Sequence, residues 1–364
     1  MDRIATFDDW TDLFRKWQKD IGFDSSLVKS YPFEAIYDEP PTAEVEFGEF
    51  AGRRKWESVL EIPTQEMRDS LLHLIVYQGD TEFGSAEQQR YLINTAPSPH
   101  DLKCLLRVMR EEMRHGWQMC HILVDHFGYS GKLEATKLLE RRAYEGNRLL
   151  GAFNQPVNHW LDFFTYTAFI DRDGKYQLTM LHHSGFKPLA ASMGPMLKEE
   201  SFHLFTGQSG LQRIIRAGKI PVWTIQKYLN KWIPAAYDLF GKDRSTSALR
   251  FYRSGFKGRF NEDRAAPPQH PERLNEEARD LYAGEIGEIV NGFNQLIPDR
   301  QVKLYVPDVK FNREIGDYAG KSYGVDGRLL SAEKYQSHLD AVLPGADDLE
   351  ALQSVFQQAN WIAA

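Results

Sequence analysis

Residues 110–119, REEMRHGWQM, and 198–205, KEESFHLF, each set a glutamate three residues before a histidine: Glu112 before His115, and Glu200 before His203. Residues three apart on a helix share a face, so each pair can offer one carboxylate oxygen and one imidazole nitrogen to the same metal. Eleven histidines in a chain with 51 acids should give roughly one and a half such pairs by chance, so the pairs alone decide nothing. Both, however, carry a further acid directly in front, Glu111 and Glu199, and the doubled form is expected only about 0.2 times by the same arithmetic. Two doubled motifs are an excess.

A dinuclear site in a four-helix bundle takes ExxH from two helices and one carboxylate from each of the other two. Glu82, in LIVYQGDTEFGS, lies 30 residues before Glu112, and Asp171, in FFTYTAFIDRDGK, lies 29 before Glu200. If each half is an antiparallel helical hairpin, its turn falls near residue 97 and near 185 or 186. Breaker-rich sequence stands at both places, TAPSPHD at 95–101 and SGFKP at 184–188. Each arm is then roughly 20 Å long, which puts the site deep in the bundle. On spacing, Asp171 is preferred for the fourth carboxylate, with Asp173 and Glu145 open as alternatives, because DRDG is also a turn signal and Gly174 disfavours helix. His182 and His183 sit about three turns from Asp171 and are expected to be structural.

Outward from these hairpins, apolar residues recur at three and four from about 55 to 240, as in LKCLLRVMREEMRHGWQMCHILVDHF. The expected fold is an all-α core, a ferritin-like four-helix bundle with a long crossover at 127–154, and N- and C-terminal extensions containing short strands. The expected division is an N-terminal extension over 1–54, packed on the core, a helical bundle over 55–261 and a C-terminal helical and strand extension over 262–364. The extensions carry an opening helix in DDWTDLFRKWQKD, a strand-like alternation in AEVEFGEF, a linker in NEDRAAPPQHPE at 262–273 and a helix near 274–296. Beyond these come a strand pair around QVKLYVPDVKF, a helix from a Ser331 cap and another at 347–358.

The chain has 364 residues and a formal charge of −7, with no run of Lys and Arg, so nucleic acid and anionic membrane are not expected partners. The opening MDRIATFDDW lacks the regions of a signal peptide and no apolar stretch reaches the ~18 residues of a span, so a cytoplasmic protein is expected. Cys104 and Cys120 offer neither a CxxC pair nor a disulfide framework.

Glu82, Glu112, His115, Asp171, Glu200 and His203 together give four carboxylates and two imidazoles, hard donors suited to iron or manganese rather than zinc or calcium. Four negative charges neutralise two ferrous ions, and activation of O2 is the chemistry to expect. Glu111 and Glu199 are expected behind the ligands, each accepting the distal imidazole proton of the opposite half's histidine.

These residues resemble the diiron oxygenase component of the benzoyl-CoA 2,3-epoxidases and, more distantly, the catalytic subunit of the phenylacetyl-CoA epoxidases. The likeness runs through QGDTE at 78–82, EQQR at 88–91, TAPS at 95–98, both EExxH motifs, DRDGK at 171–175, QKYLN at 226–230, FKGRF at 256–260, DGRLLS at 326–331 and ANWIAA at 359–364. It implies the same six metal ligands, Asp171 rather than Asp173, and Gln78 one turn before Glu82 facing the site, so that Gln78, Glu82, Glu112 and Glu200 carry the catalysis. It further implies two nonheme iron ions, O2 as co-substrate and electrons from a separate flavin and iron–sulfur reductase. The expected reaction is epoxidation of a small aromatic thioester such as benzoyl-CoA, with oxygen delivered against an apolar wall of Phe163, Phe164 and Phe169. Phe83, beside Glu82, differs from the family's usual residue and is expected to shape the pocket. The family pattern is expected to run longer ahead of the core, between the second EExxH and QKYLN, and past residue 364. Hydroxylation or N-oxygenation of an amine, a free acid or a carrier-bound aryl group is the alternative reaction.

Overall fold

A computed structural model describes residues 4, 6–358 and 360–363; Ala359 and Ala364 of ANWIAA lie outside the described residues. Regular structure among these is helical, and extended backbone pairs only in isolated bridges, Glu44 with Arg54, Trp56 with Phe186 and Tyr323 with Leu329. The chain divides into two compact units. The first takes Met1–Val157, Gln177–Glu199 and Thr246–Glu272, and the second Asn158–Tyr176, Glu200–Ser245 and Arg273–Ala364. No helix among the described residues is long and apolar enough to cross a membrane.

In the first unit α1 (Phe7–Asp20) starts at a capping box, in which Thr6 Oγ1 accepts from Asp9 N and Asp9 answers to Thr6 N. Its apolar stripe, Trp10, Phe14 and Trp17, is buried, and Trp10 Nε1 donates to Ala135 O at 2.9 Å in α4 (Gly128–Glu140). The predicted first hairpin is α2 (Gln65–Gln89), capped by Thr64, and α3 (Pro99–His126), capped by Ser98 with Pro99 in its first turn. Its turn occupies 90–98, around the expected midpoint. The two helices run antiparallel, since Gly79 meets Met119, Phe83 meets Gly116 and Ser85 reaches Glu112. The crossover after α3 is tied to α2 by Arg148, a fully buried guanidinium that donates to Asp80 at 3.1 Å and Glu87 at 2.7 Å. AEVEFGEF keeps its alternation, burying Val45 and Phe47, but makes only the one bridge.

The second hairpin is α5 (Trp160–His182) and α6 (Lys187–Ala217), with its turn at 183–186. DRDG does not break α5. At the turn, within the first unit, buried Lys55 donates to Ser184 O at 2.7 Å and His183 O at 3.2 Å, placing a cation at the end of a helix that leaves carbonyls unpaired. Pro195 inside α6 has no N–H for Ala191 O, and Asp38 N takes that carbonyl at 2.9 Å. The unit also holds α8 (Thr246–Arg253).

In the second unit the remainder of α5 and α6 pack so tightly that a Cβ on Gly207 would strike the Ala168 backbone and one on Gly210 the Phe164 ring. Asp162 anchors α5 to α7 (Val222–Leu239) by accepting from Trp232 Nε1 at 2.6 Å and Lys231 Nζ at 2.8 Å. The helices α9 (Leu274–Asn294), α10 (Ala332–Val342, capped by Ser331) and α11 (Ala346–Phe356) follow. QVKLYVPDVKF forms no strand pair. Its extended backbone is served by side-chain amides: Asn294 bonds both the N–H and C=O of Leu304, at 2.7 and 2.9 Å, and Gln226 both groups of Tyr305, at 2.8 and 3.0 Å. Two helix-borne amides thus replace the neighbouring strand.

Candidate metal centre

In the first unit Glu82 comes from α2, and Glu112 and His115 from consecutive turns of α3. Ligand atoms of the three lie within 4.8 Å of one another, and all three are buried. His115 Nδ1 stands 3.4 Å from Glu82 Oε2 and 4.0 Å from Glu112 Oε2. Its other nitrogen, Nε2, donates to Glu199 Oε2 at 2.8 Å, a bond that fixes the proton on Nε2 and leaves Nδ1 for a metal. Gln78 Nε2 donates to Glu82 Oε1 at 2.5 Å, and Ser85 Oγ to Glu112 Oε1 at 3.1 Å.

Burial disfavours charge here, yet the neighbours outweigh it. For His115 burial favours the neutral ring, while Glu199 and Glu82 on either side raise its pKa to about 9. Burial would raise Glu82, and the His115 imidazole instead holds it below the usual carboxylate range. Glu199, opposed by burial in the same way, is held at about 2 by His115 and Arg114. Arg114 already pairs with Glu199, so the buried Glu82 and Glu112 carboxylates share one imidazole, and a cation at Nδ1 would take the place of the ring's second proton in balancing them.

In the second unit Asp171 comes from α5, and Glu200 and His203 from α6. Ligand atoms of Asp171 and His203 lie within 4.8 Å, and His203 Nδ1 is 3.3 Å from Glu200 Oε2, all buried. Each half therefore repeats one composition: a carboxylate from the earlier helix, with a carboxylate and an imidazole Nδ1 from the later one. Each half offers two carboxylates and one imidazole nitrogen, donors of the kind that suit ferrous iron.

The other predicted residues fall as follows. Glu111, buried, accepts from Arg107 Nε at 2.8 Å. Phe83 is fully buried among Trp17, Trp10 and Phe14 and lies against Gly116, next to His115. Phe163 and Phe164 pack on Trp160, and the Phe169 carbonyl accepts from Tyr282 Oη at 3.0 Å. Asp173 is buried, whereas Glu145 is exposed in a short turn. His183 bonds Glu46 at 3.0 Å at the end of α5, a structural contact.

Sequence reasoning missed Arg114. It lies between Glu112 and His115, is fully buried, and grips Glu199 through Nε at 3.0 and 3.1 Å and through Nη2. An arginine on a helix reads as a solvated face; the one signal was its place inside EExRH, where the second motif has Phe202. Ser85, one turn after Glu82, carried no signal at all.

A family model described as "Phenylacetic acid catabolic protein" matches residues 60–286. The chain is 35% identical, over an alignment of 398 residues, to benzoyl-CoA oxygenase component B of Aromatoleum evansii, covering 94% of this chain and 83% of that protein. It is 22% identical, over 252 residues, to one subunit of the 1,2-phenylacetyl-CoA epoxidase of Escherichia coli (strain K12), covering 69% of this chain and 74% of that one.

Proposed function

From the premise that this chain belongs to the phenylacetic acid catabolic protein family, the ferritin-like diiron oxygenases, we propose that it is the oxygenase component of an aryl-CoA epoxidase. The observation that carries the reading is the repeated half-site, Glu82, Glu112 and His115 in one unit and Asp171, Glu200 and His203 in the other. In this reading the six side chains hold two iron ions, whose redox chemistry activates O2.

The remaining work belongs to the protein. Gln78 restrains the Glu82 carboxylate through Oε1, and Glu199 accepts from His115 Nε2, so that Nδ1 would be the nitrogen to hold a metal. Glu112 and Glu200 supply further carboxylate charge, and Glu111, one turn from Arg107, accepts from its guanidinium. Phe163, Phe164 and Phe169 give an apolar wall that holds an aromatic ring and keeps water out, and Phe83 backs the His115 side through Gly116. One oxygen atom goes to the ring and the other leaves as water, with two electrons from a separate flavin and iron–sulfur reductase in the cytoplasm. The relatives' names, an oxygenase of benzoyl-CoA and an epoxidase of phenylacetyl-CoA, support an aryl-CoA thioester as the substrate.

The test is anaerobic reduction of the iron-loaded protein, exposure to 18O2 with benzoyl-CoA, phenylacetyl-CoA and the free acids, and mass analysis of products. A single 18O in a thioester product is the expected result. Oxygen in a free acid, or in no aromatic compound, would reject the aryl-CoA assignment.

A further inference from the structure

Helix α5 carries two threonines in its buried middle, Thr165 and Thr167, and they behave differently. Thr165 Oγ1 bonds back to Leu161 O at 2.7 Å, and on α6 Thr206 Oγ1 bonds back to Phe202 O at 2.9 Å, as hydroxyls inside helices do. Thr167 is fully buried and its hydroxyl has no hydrogen-bond partner among the described residues. A buried hydroxyl left without a partner weakens the fold, because the water it gave up is not replaced. Such a group persists where it serves another purpose.

Its position indicates that purpose. Thr167 lies four residues before Asp171 on α5, so the two share a face, and helical side chains lean toward the N-terminus, bringing the Asp171 carboxylate back over the Thr167 turn. The other half of the molecule has a donor at the same spacing: Gln78 lies four residues before Glu82 on α2 and donates to Glu82 Oε1 at 2.5 Å. Across from Thr167 the α6 residue is Gly207, whose lack of a side chain lets the two backbones close at this level. We propose that Thr167 is a positioning residue that donates its hydroxyl proton to the Asp171 carboxylate when iron is bound, as Gln78 does for Glu82. The inference rests on Asp171 being an iron ligand.

The test compares Thr167→Val, which keeps the shape and removes the hydroxyl, with Thr167→Ser, which keeps the hydroxyl, and with Asp171→Ala. Two quantities are read: the rate of iron release to an excess chelator, and the melting temperature of the chelated protein. Thr167→Val is expected to release iron about 10- to 100-fold faster, the usual cost of losing a group that orients a ligand. Its chelated form is expected to melt no lower than wild type and up to about 2–4 °C higher, because an unsatisfied buried polar atom has gone. Thr167→Ser is expected to restore wild-type release. Wild-type release from Thr167→Val beside an iron-depleted Asp171→Ala would overturn the Thr167 proposal and leave the ligand set standing. A Thr167→Val protein that loses chelated stability along with iron would also overturn it, by making the role one of packing. An Asp171→Ala protein with its full iron would overturn the ligand assignment and the inference with it.

Discussion

Glu199 joins a buried imidazole to a buried guanidinium, and its removal should show two separable effects. Glu199→Gln keeps a hydrogen-bond acceptor for His115 but no charge, and iron affinity is expected to fall about 10- to 100-fold with the fold intact. Both variants remove the counter-charge of fully buried Arg114, but only Glu199→Ala also removes the acceptor that Arg114 and His115 share, so it is expected to be the less stable of the two by about 1–3 kcal/mol in unfolding free energy. Iron titration and urea unfolding of both variants check this, and equal stability in the two would contradict it. A second residue sets a pH dependence. His159, just before α5, accepts from Asp162 N through Nδ1 at 3.1 Å and meets Tyr228 Oη at 2.7 Å; burial lowers its pKa to about 4. The fold therefore holds it neutral while the unfolded chain binds a proton below pH 6.5. Stability is fully present above pH 6.5 and falls as the pH drops toward 4, by at most about 3 kcal/mol. His159→Asn, which retains an acceptor before the helix, is expected to flatten that slope in urea titrations run between pH 7 and 4.5. The metal-facing residues were legible because ExxH has a geometric meaning on a helix. Arg114, Ser85 and His159 were not, because each matters through a partner far along the chain.

Among the elements, both hairpins were readable from breakers midway between their acids, and the Ser331 cap stands where α10 begins. DRDG misleads as a turn signal because its neighbours are buried on α5, and that burial exceeds the cost of one glycine, about 1 kcal/mol. QVKLYVPDVKF misleads for the opposite reason: its alternation is real, but Asn294 and Gln226 satisfy its backbone where a strand would be expected. The glycines of α5 and α6 then give a contrast that pattern reading cannot. A Cβ on Gly174 would meet Glu200 at an ordinary 3.9 Å, whereas one on Gly207 would collide with backbone that cannot yield. Gly174→Ala is expected to raise stability by up to about 1 kcal/mol, and Gly207→Ala to lower it by about 1–3 kcal/mol. Thermal unfolding of the two single variants decides the matter; the same sign for both would contradict the packing described for α5 and α6.

Across the whole molecule the two halves repeat a donor set without repeating its surroundings. Arg114 inside the first motif has Phe202 as its counterpart in the second, so one histidine is backed by a buried Arg–Glu pair while Glu111 is paired with a partly exposed Arg107 one turn away. Two irons held in this way are expected to differ in exchange rate, the one on His115 being the slower to leave. Staged chelation should resolve two phases, and Glu199→Gln should speed only the slow one. The central proposal is that six side chains, three from each half, hold two iron ions. The most direct measurement is iron content of the wild type beside His115→Ala and His203→Ala, each checked for unchanged helicity. The account predicts about two irons per wild-type chain and loss of both from either variant, since each half completes the other. One iron retained in each variant, or none in the wild type, would contradict it.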